Sequence, residues 1–356
     1  MMKNQGRDTS IDQIKSIAIL IIVLFHYADH GVIDLAKEGI SGSWLLLSFF
    51  KMGGGTGNAL FILCTGYLMA DSNWNYKKLI KLWAQIWFYS VIFGVMYYLR
   101  IGSLPGIKPV VKIVFPVISN SFWYFSSYFI LYLLVPYIDV VLSQLKQRET
   151  QVLILILLII FSIIPTFTFS YWLTGINNIM IFIALYIAGN YIKRFKLRID
   201  KAHASVFAVT IALLIMLSEI ILKCFTNLNA YYFTWDTYKF PVILLGIMIF
   251  LWLKDKQTGN FLSNIVSRVS THSSAVYLIH IGWISPILFT EVFNNSIVYG
   301  RAEITLHVVI YVISILAGSI LVDMICKPVY SKIGEICINL SEGIIKRFRD
   351  KQIEKV

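Results

Sequence analysis

From Ile17 to Phe25 the chain reads IAILIIVLF without one polar side chain, and the next residue is a histidine, His26. A run of this kind is a helix that crosses a membrane or fills a large core. An acid and a base, Asp12 and Lys15, stand just ahead of it, one helical turn apart. At about 1.5 Å per residue, His26 falls roughly 20 Å beyond Asp12, most of the way across a hydrocarbon layer of about 30 Å. An ionisable side chain at that depth is costly and marks a functional site by default. The plainer alternative is a histidine satisfied by a neighbouring helix.

Composition decides between membrane and core. Of 356 residues, 58% are hydrophobic and 14% charged, and the mean hydropathy is +0.73. A soluble domain has no use for so much apolar surface, so the chain reads as an all-α, polytopic integral membrane helix bundle. About ten transmembrane helices are expected, near 13–33, 54–70, 79–99, 121–142, 151–172, 176–192, 204–224, 237–253, 273–293 and 303–325. The net charge of +12 would suit nucleic acid, but the bases fall in short loops between apolar runs. Most of the 31 Lys and Arg residues share one side if both termini are cytoplasmic. The first span has no small-residue cleavage site behind it and reads as an anchor. A membrane domain over 1–330 and a basic cytoplasmic tail over 331–356 follow.

Little chain lies outside the spans, so chemistry belongs within the bundle or at its faces. There is no Walker A loop, and Cys64, Cys224, Cys326 and Cys337 have no metal-site spacing. No metal and no disulfide framework are expected. Asp29 and His30 follow His26 at i+3 and i+4, where a carboxylate could orient the imidazole of a general base. His280, with Tyr277 one turn before it, sits in a span that begins near Ser273. That puts it roughly 10 Å deep on the cytoplasmic side, at a different depth from His26 and out of reach of a dyad with it. Glu219 and Lys223 read as a structural ion pair. Trp123 and Tyr124 mark an interface, and Ser126, Ser127 and Tyr128 place hydroxyls inside the fourth span. The glycine-rich Met52–Asn58 segment suggests a backbone break or a close approach. Lys77, Lys78 and Lys81 form a basic patch, either plain positive-inside anchoring or a seat for a phosphorylated ligand.

The blocks IDQIKSIAILIIVLFH, FILCTGYLM, WYFSSYFILYLLVPYI and STHSSAVYLIH, in this order, resemble the membrane acyltransferase 3 family from Ile11 to about Asp323. Members move acyl groups, usually acetyl from acetyl-CoA, onto extracytoplasmic sugars. Asp12 and Lys15 fall on the family's Asp-x-x-Arg opening, and His26 on its presumed catalytic histidine. Phe61, Gly66 and Tyr67 match its second block, with Thr65 where serine is usual. Trp123, Tyr128 and Pro136 match the fourth-span block, and Tyr277 and His280 its Tyr-x-x-His. The chain departs where Lys78-Leu-Ile-Lys81 replaces Arg-x-x-Arg, because lysine lacks the bidentate fork for phosphate. Lys15 departs in the same way, and the fourth block lacks the carboxylate many members carry.

The resemblance implies a bacterial plasma-membrane O-acetyltransferase acting on a cell-surface polysaccharide or lipid-linked glycan. Its donor is acetyl-CoA as co-substrate, with no permanently bound cofactor. His26 and Asp29 are the expected catalytic residues. Lys15, Lys77, Lys78, Lys81, Tyr277 and His280 are expected on the donor side, and Asp12, Trp123, Ser127 and Tyr128 on the acceptor side. The rival readings are a sugar transporter or flippase, which predicts internal repeats, and a membrane sensor or scaffold.

Overall fold

The computed structural model describes residues 8–168, 174–256 and 259–353, and every element among them is helical. In chain order these are α1 (Thr9–Asp29), α2 (Gly42–Lys51), α3 (Gly53–Met69), α4 (Tyr76–Ile101) and α5 (Ile107–Val114). Next come α6 (Trp123–Gln144), α7 (Gln147–Leu158), α8 (Ile164–Phe167), α9 (Thr174–Arg194) and α10 (Lys201–Phe225). The last four are α11 (Phe240–Leu253), α12 (Asn260–His280), α13 (Ser285–Ile287) and α14 (Ile304–Ile353). A π turn at Ile159–Ile163 joins α7 to α8 in one apolar stretch.

Nine of the ten apolar runs fall largely on helical chain, although 169–172 of the fifth lie outside the described residues, and the ninth is broken after His280. Seven helices are long and apolar enough to cross a membrane, and the bent pair at α12 would make eight. The helices α3 and α11 have 17 and 14 residues, short of the about 20 that a perpendicular span needs. Local signals fix the helix starts. Asp8 caps α1 by accepting from the Ser10 and Ile11 amides, and Asn75 caps α4 through Lys77. Gly102 ends α4 in the left-handed region at φ +66°.

The central helix is α3, which touches α1, α9 and α11. The glycine-rich segment read as a break or a close approach is both: Met52 separates α2 from α3, and a Cβ on Gly53 would stand 2.4 Å from the Ile21 carbonyl oxygen of α1. A Cβ on Gly66 would stand 2.0 Å from the Tyr186 carbonyl oxygen, and one on Gly189 2.3 Å from that of Leu63. Two backbones therefore meet directly, the contact that holds helices together where lipid removes the hydrophobic incentive. Outer helices leave apolar side chains such as Leu213, Ile313 and Leu321 exposed for lipid. A buried carboxylate, Asp323, ties α14 to its neighbours. It accepts from the Tyr89 hydroxyl at 2.6 Å, Tyr330 at 3.0 Å and Gln85 at 3.3 Å, and its other oxygen lies 2.5 Å from His272 Nδ1.

Three expectations need correction. The ninth span was placed at 273–293, but α12 begins at Asn260 and breaks after His280, where the chain bends by 84°. His280 therefore ends a helix, about 30 Å from its start at 1.5 Å per residue, and does not lie the roughly 10 Å into its span that was expected. Glu219 and Lys223 do not pair: Glu219 accepts from the Thr234 hydroxyl at 2.9 Å, and Lys223 donates to the Ala36 carbonyl at 2.9 Å. Two helices beyond the ten runs, α2 and α5, fill the loops after α1 and α4. The last helix, α14, runs from Ile304 to Ile353.

Candidate active site

Two histidines on two parallel-running helices meet in the interior. His26 Nδ1 lies 2.8 Å from His280 Nε2, and both residues are buried. His280 Nδ1 in turn lies 2.5 Å from the Val276 carbonyl oxygen. A carbonyl only accepts, so Nδ1 of His280 carries the proton and donates. With both rings neutral, His280 Nε2 is then an acceptor and His26 Nδ1 donates to it. The remaining nitrogen, His26 Nε2, is left with a lone pair. The dyad excluded by depth in the sequence is thus present, because α12 starts a dozen residues earlier than its hydropathy indicates. Asp29 does not orient His26. Its carboxylate lies 2.6 Å from Lys51 Nζ and 4.0 Å from His30 Nε2.

Three cavities run in a string past this pair. The His26 chamber, about 400 Å³, is lined by His26, Asp29, His30, Trp123, Trp235 and Asp236 among others. It shares Ile22, Asn58 and Tyr277 with a serine chamber of about 200 Å³ that Ser270, Ser273 and Ser274 line. That chamber shares Lys15, Thr65, Leu82 and Tyr128 with a third cavity, also about 200 Å³, where Lys78 stands. Tyr277 belongs to the waist between the first two, its ring 6.0 Å from that of His26.

Of the expected site residues, His26, Asp29, Trp123 and Tyr277 line the His26 chamber, and Lys15, Lys78 and Tyr128 line the other end. The rest stand back from it. Asp12 is buried and accepts from the Ser270 hydroxyl at 2.8 Å. Lys77 pairs with Glu342 at 2.5 Å, and Lys81 lies against Gly334 of α14. Ser127 is buried, and His280 acts on the chamber only through His26.

Sequence reasoning passed over the loop ahead of α11. Thr234, Trp235, Asp236 and Thr237 fold back over the His26 chamber, and Thr237 accepts from the Asn58 amide at 3.0 Å. The signal was present as a polar and aromatic TWDT run at a span boundary. Burial pushes the Asp236 carboxyl up, against the pull of Lys239, and pushes the His30 imidazole down. Lys239 itself is buried beneath that loop, 3.6 Å from the centre of the Tyr232 ring.

A protein-family model described as an acyltransferase domain, Acyl_transf_3, matches residues 8–324. The chain belongs to the acyltransferase 3 family. No curated protein and no solved structure matches it. The match spans α1 to the middle of α14 and so takes in both histidines and all three cavities. For a membrane acyltransferase the geometry is useful in two ways. A buried histidine with one ring nitrogen not held by its partner lines a chamber, and cavities lined with hydroxyls connect that chamber to Lys15 and Lys78. Among the described residues, no group of three or more His, Cys, Asp or Glu could hold a metal, and all four cysteines are free thiols.

Proposed function

We propose that this acyltransferase is an O-acetyltransferase that moves acetyl from cytoplasmic acetyl-CoA to a hydroxyl of an extracytoplasmic cell-surface glycan. In this reading the chain has ten spans and both termini face the cytoplasm of a bacterial cell. The observation that carries it is the string of cavities from Lys15 and Lys78 to His26, whose free ring nitrogen is set by His280.

The donor phosphates sit at the lysine mouth, where Lys78 and Lys15 attract them as point charges. The pantetheine arm follows the serine chamber and brings its thioester to the waist. The acceptor hydroxyl enters the His26 chamber, where Trp123, Asp236 and Asn58 offer stacking and hydrogen bonds. His26 Nε2 takes the hydroxyl proton as the oxygen bonds to the thioester carbonyl carbon. The C–S bond then breaks, and the coenzyme A thiolate takes that proton back from the imidazolium. His280 stabilises the transient charge on His26 through Nε2. Tyr277, at the waist, is the residue to test as donor to the developing oxyanion.

The experiment is ester-linked acetate on the host's surface polysaccharide, compared in wild type, a deletion, and the deletion carrying His26→Ala at equal membrane protein level. Acetate is expected to fall in the deletion and to stay low with His26→Ala. Full restoration by His26→Ala would end the assignment of His26. Unchanged acetate in the deletion would favour a transporter.

A further inference from the structure

Beside the His26 chamber lies a second cleft, about 370 Å³, that shares Ser121 and Ile281 with it. The break after α12 builds it. A Cβ on Gly282 would stand 2.5 Å from the Leu278 carbonyl oxygen, so the tight turn there is made by a residue without one. The turn delivers Trp283 to the cleft floor, where its indole N–H donates to the Ser90 hydroxyl at 3.4 Å. The Tyr97 and Tyr98 rings stand 6.3 and 6.1 Å from it. Asn120 shapes the rim with φ +56°, a conformation that asparagine tolerates.

The opposite wall is charged. The short helix α5 exposes Ile107, Val111 and Val114 along one side, the habit of a helix lying in the membrane interface. Lys112 of the same helix lines the cleft, exposed and without an ion pair among the described residues. A floor of half-buried aromatic rings that keep polar edges, under a lysine, suits a sugar ring with a negative substituent. Simple lipid would have no use for the polar rim of Ser121, Asn120 and Ser285.

We propose that this cleft is a second acceptor subsite, holding the glycan unit next to the one acylated at His26. The ring of that unit lies over Trp283 and the two tyrosines, and Lys112 pairs with a carboxylate or phosphate on it. The acceptor is then an anionic oligomer or polymer and not a lone sugar. The inference rests on the acetyl-transfer reading for its substrate class.

The probe is the host's own surface polysaccharide, cut by partial hydrolysis into fractions of one unit and of several. Binding of each fraction is measured on full-length His26→Ala protein in nanodiscs, and transfer of labelled acetyl from acetyl-CoA on both the wild type and His26→Ala. The longer fractions are expected to bind about tenfold more tightly than the single unit, a difference of about 1.4 kcal/mol. Trp283→Ala is expected to abolish that ratio. Lys112→Gln, at an exposed site that tolerates change, is expected to remove the preference for anionic over desubstituted fractions and its sensitivity to salt. Equal affinity at all lengths, no binding of long fractions, or ratios unmoved by both substitutions would overturn the subsite. Acetyl transfer that survives in His26→Ala would overturn the catalytic reading instead, and leaves the length ratio to be judged on binding alone.

Discussion

His26 can act as a base only through the ring nitrogen that His280 does not hold. The Val276 carbonyl fixes one ring and that ring fixes the next, so the tautomer at the reaction centre is decided two residues away. His280→Ala frees the His26 ring to rotate and to take the wrong tautomer. We expect kcat to fall about 10²-fold, at the lower end of what general-base catalysis contributes, with KM for acetyl-CoA little changed. Steady-state kinetics check the split, and a rise in KM alone would make His280 a donor-binding residue. Lys239 gives a prediction for stability. Burial pushes its amine from the ordinary 10.5 down to about 8. Above about 10.5 the amine is neutral folded or unfolded, and as pH falls through 8 the fold must bury a cation. Stability attributable to Lys239 therefore rises from pH 8 to 10.5. Lys239→Met should raise Tm at pH 7 by a few degrees and flatten that rise. An unchanged slope in thermal melts would assign it to other groups.

Among the elements, α3 has the least freedom. It meets α9 backbone to backbone, so Gly66→Ala drives a methyl group into the Tyr186 carbonyl. Overpacking of this kind costs about 1–3 kcal/mol, and Gly189→Ala should cost the same from the other side. Size-exclusion profiles and melting of detergent-solubilised variants would show it, whereas Gly343→Ala, with open space around it, should be silent. The apolar runs made most helices legible in the sequence, since an apolar face toward lipid and an apolar core add up to one strong signal. The same physics hid the start of α12. Its first half, NFLSNIVSRVSTH, is polar because Asn264, Arg268 and Thr271 are exposed, Ser270 lines a chamber and His272 meets Asp323. A hydropathy window reads a polar helical stretch as loop, and that shift of a dozen residues carried His280 to the wrong depth.

At the scale of the whole molecule, the string of cavities predicts two-sided access. On a background with all four cysteines replaced, Lys78→Cys should react with a thiol reagent from the cytoplasm and Ser121→Cys from outside. Acetyl-CoA should protect the first and leave the second open. The reverse pattern would invert the proposed orientation. His26, Tyr277, Lys15 and Lys78 were legible because they stand at fixed offsets on single helices. Trp235, Asp236 and the Trp283 cleft were not, because they reach the site through a loop that folds back and a helix that breaks. No periodicity reports either event.

The waist between the chambers is made by Ile22, Asn58 and Tyr277, none of them charged. In the proposed reading each chamber opens to water on its own side, and the membrane voltage then falls across that short septum. A charge driven across it would exchange about 2.3 kcal/mol for every 100 mV. Neutral acetyl crosses without that toll, and the phosphates of its carrier stay behind. His26 lines the chamber on one side of the septum, and Lys15 and Lys78 line the cavity at the other end. In the proposed orientation the acceptor hydroxyl meets His26 on the outer side of that septum, and the charged end of the donor never leaves the cytoplasmic side.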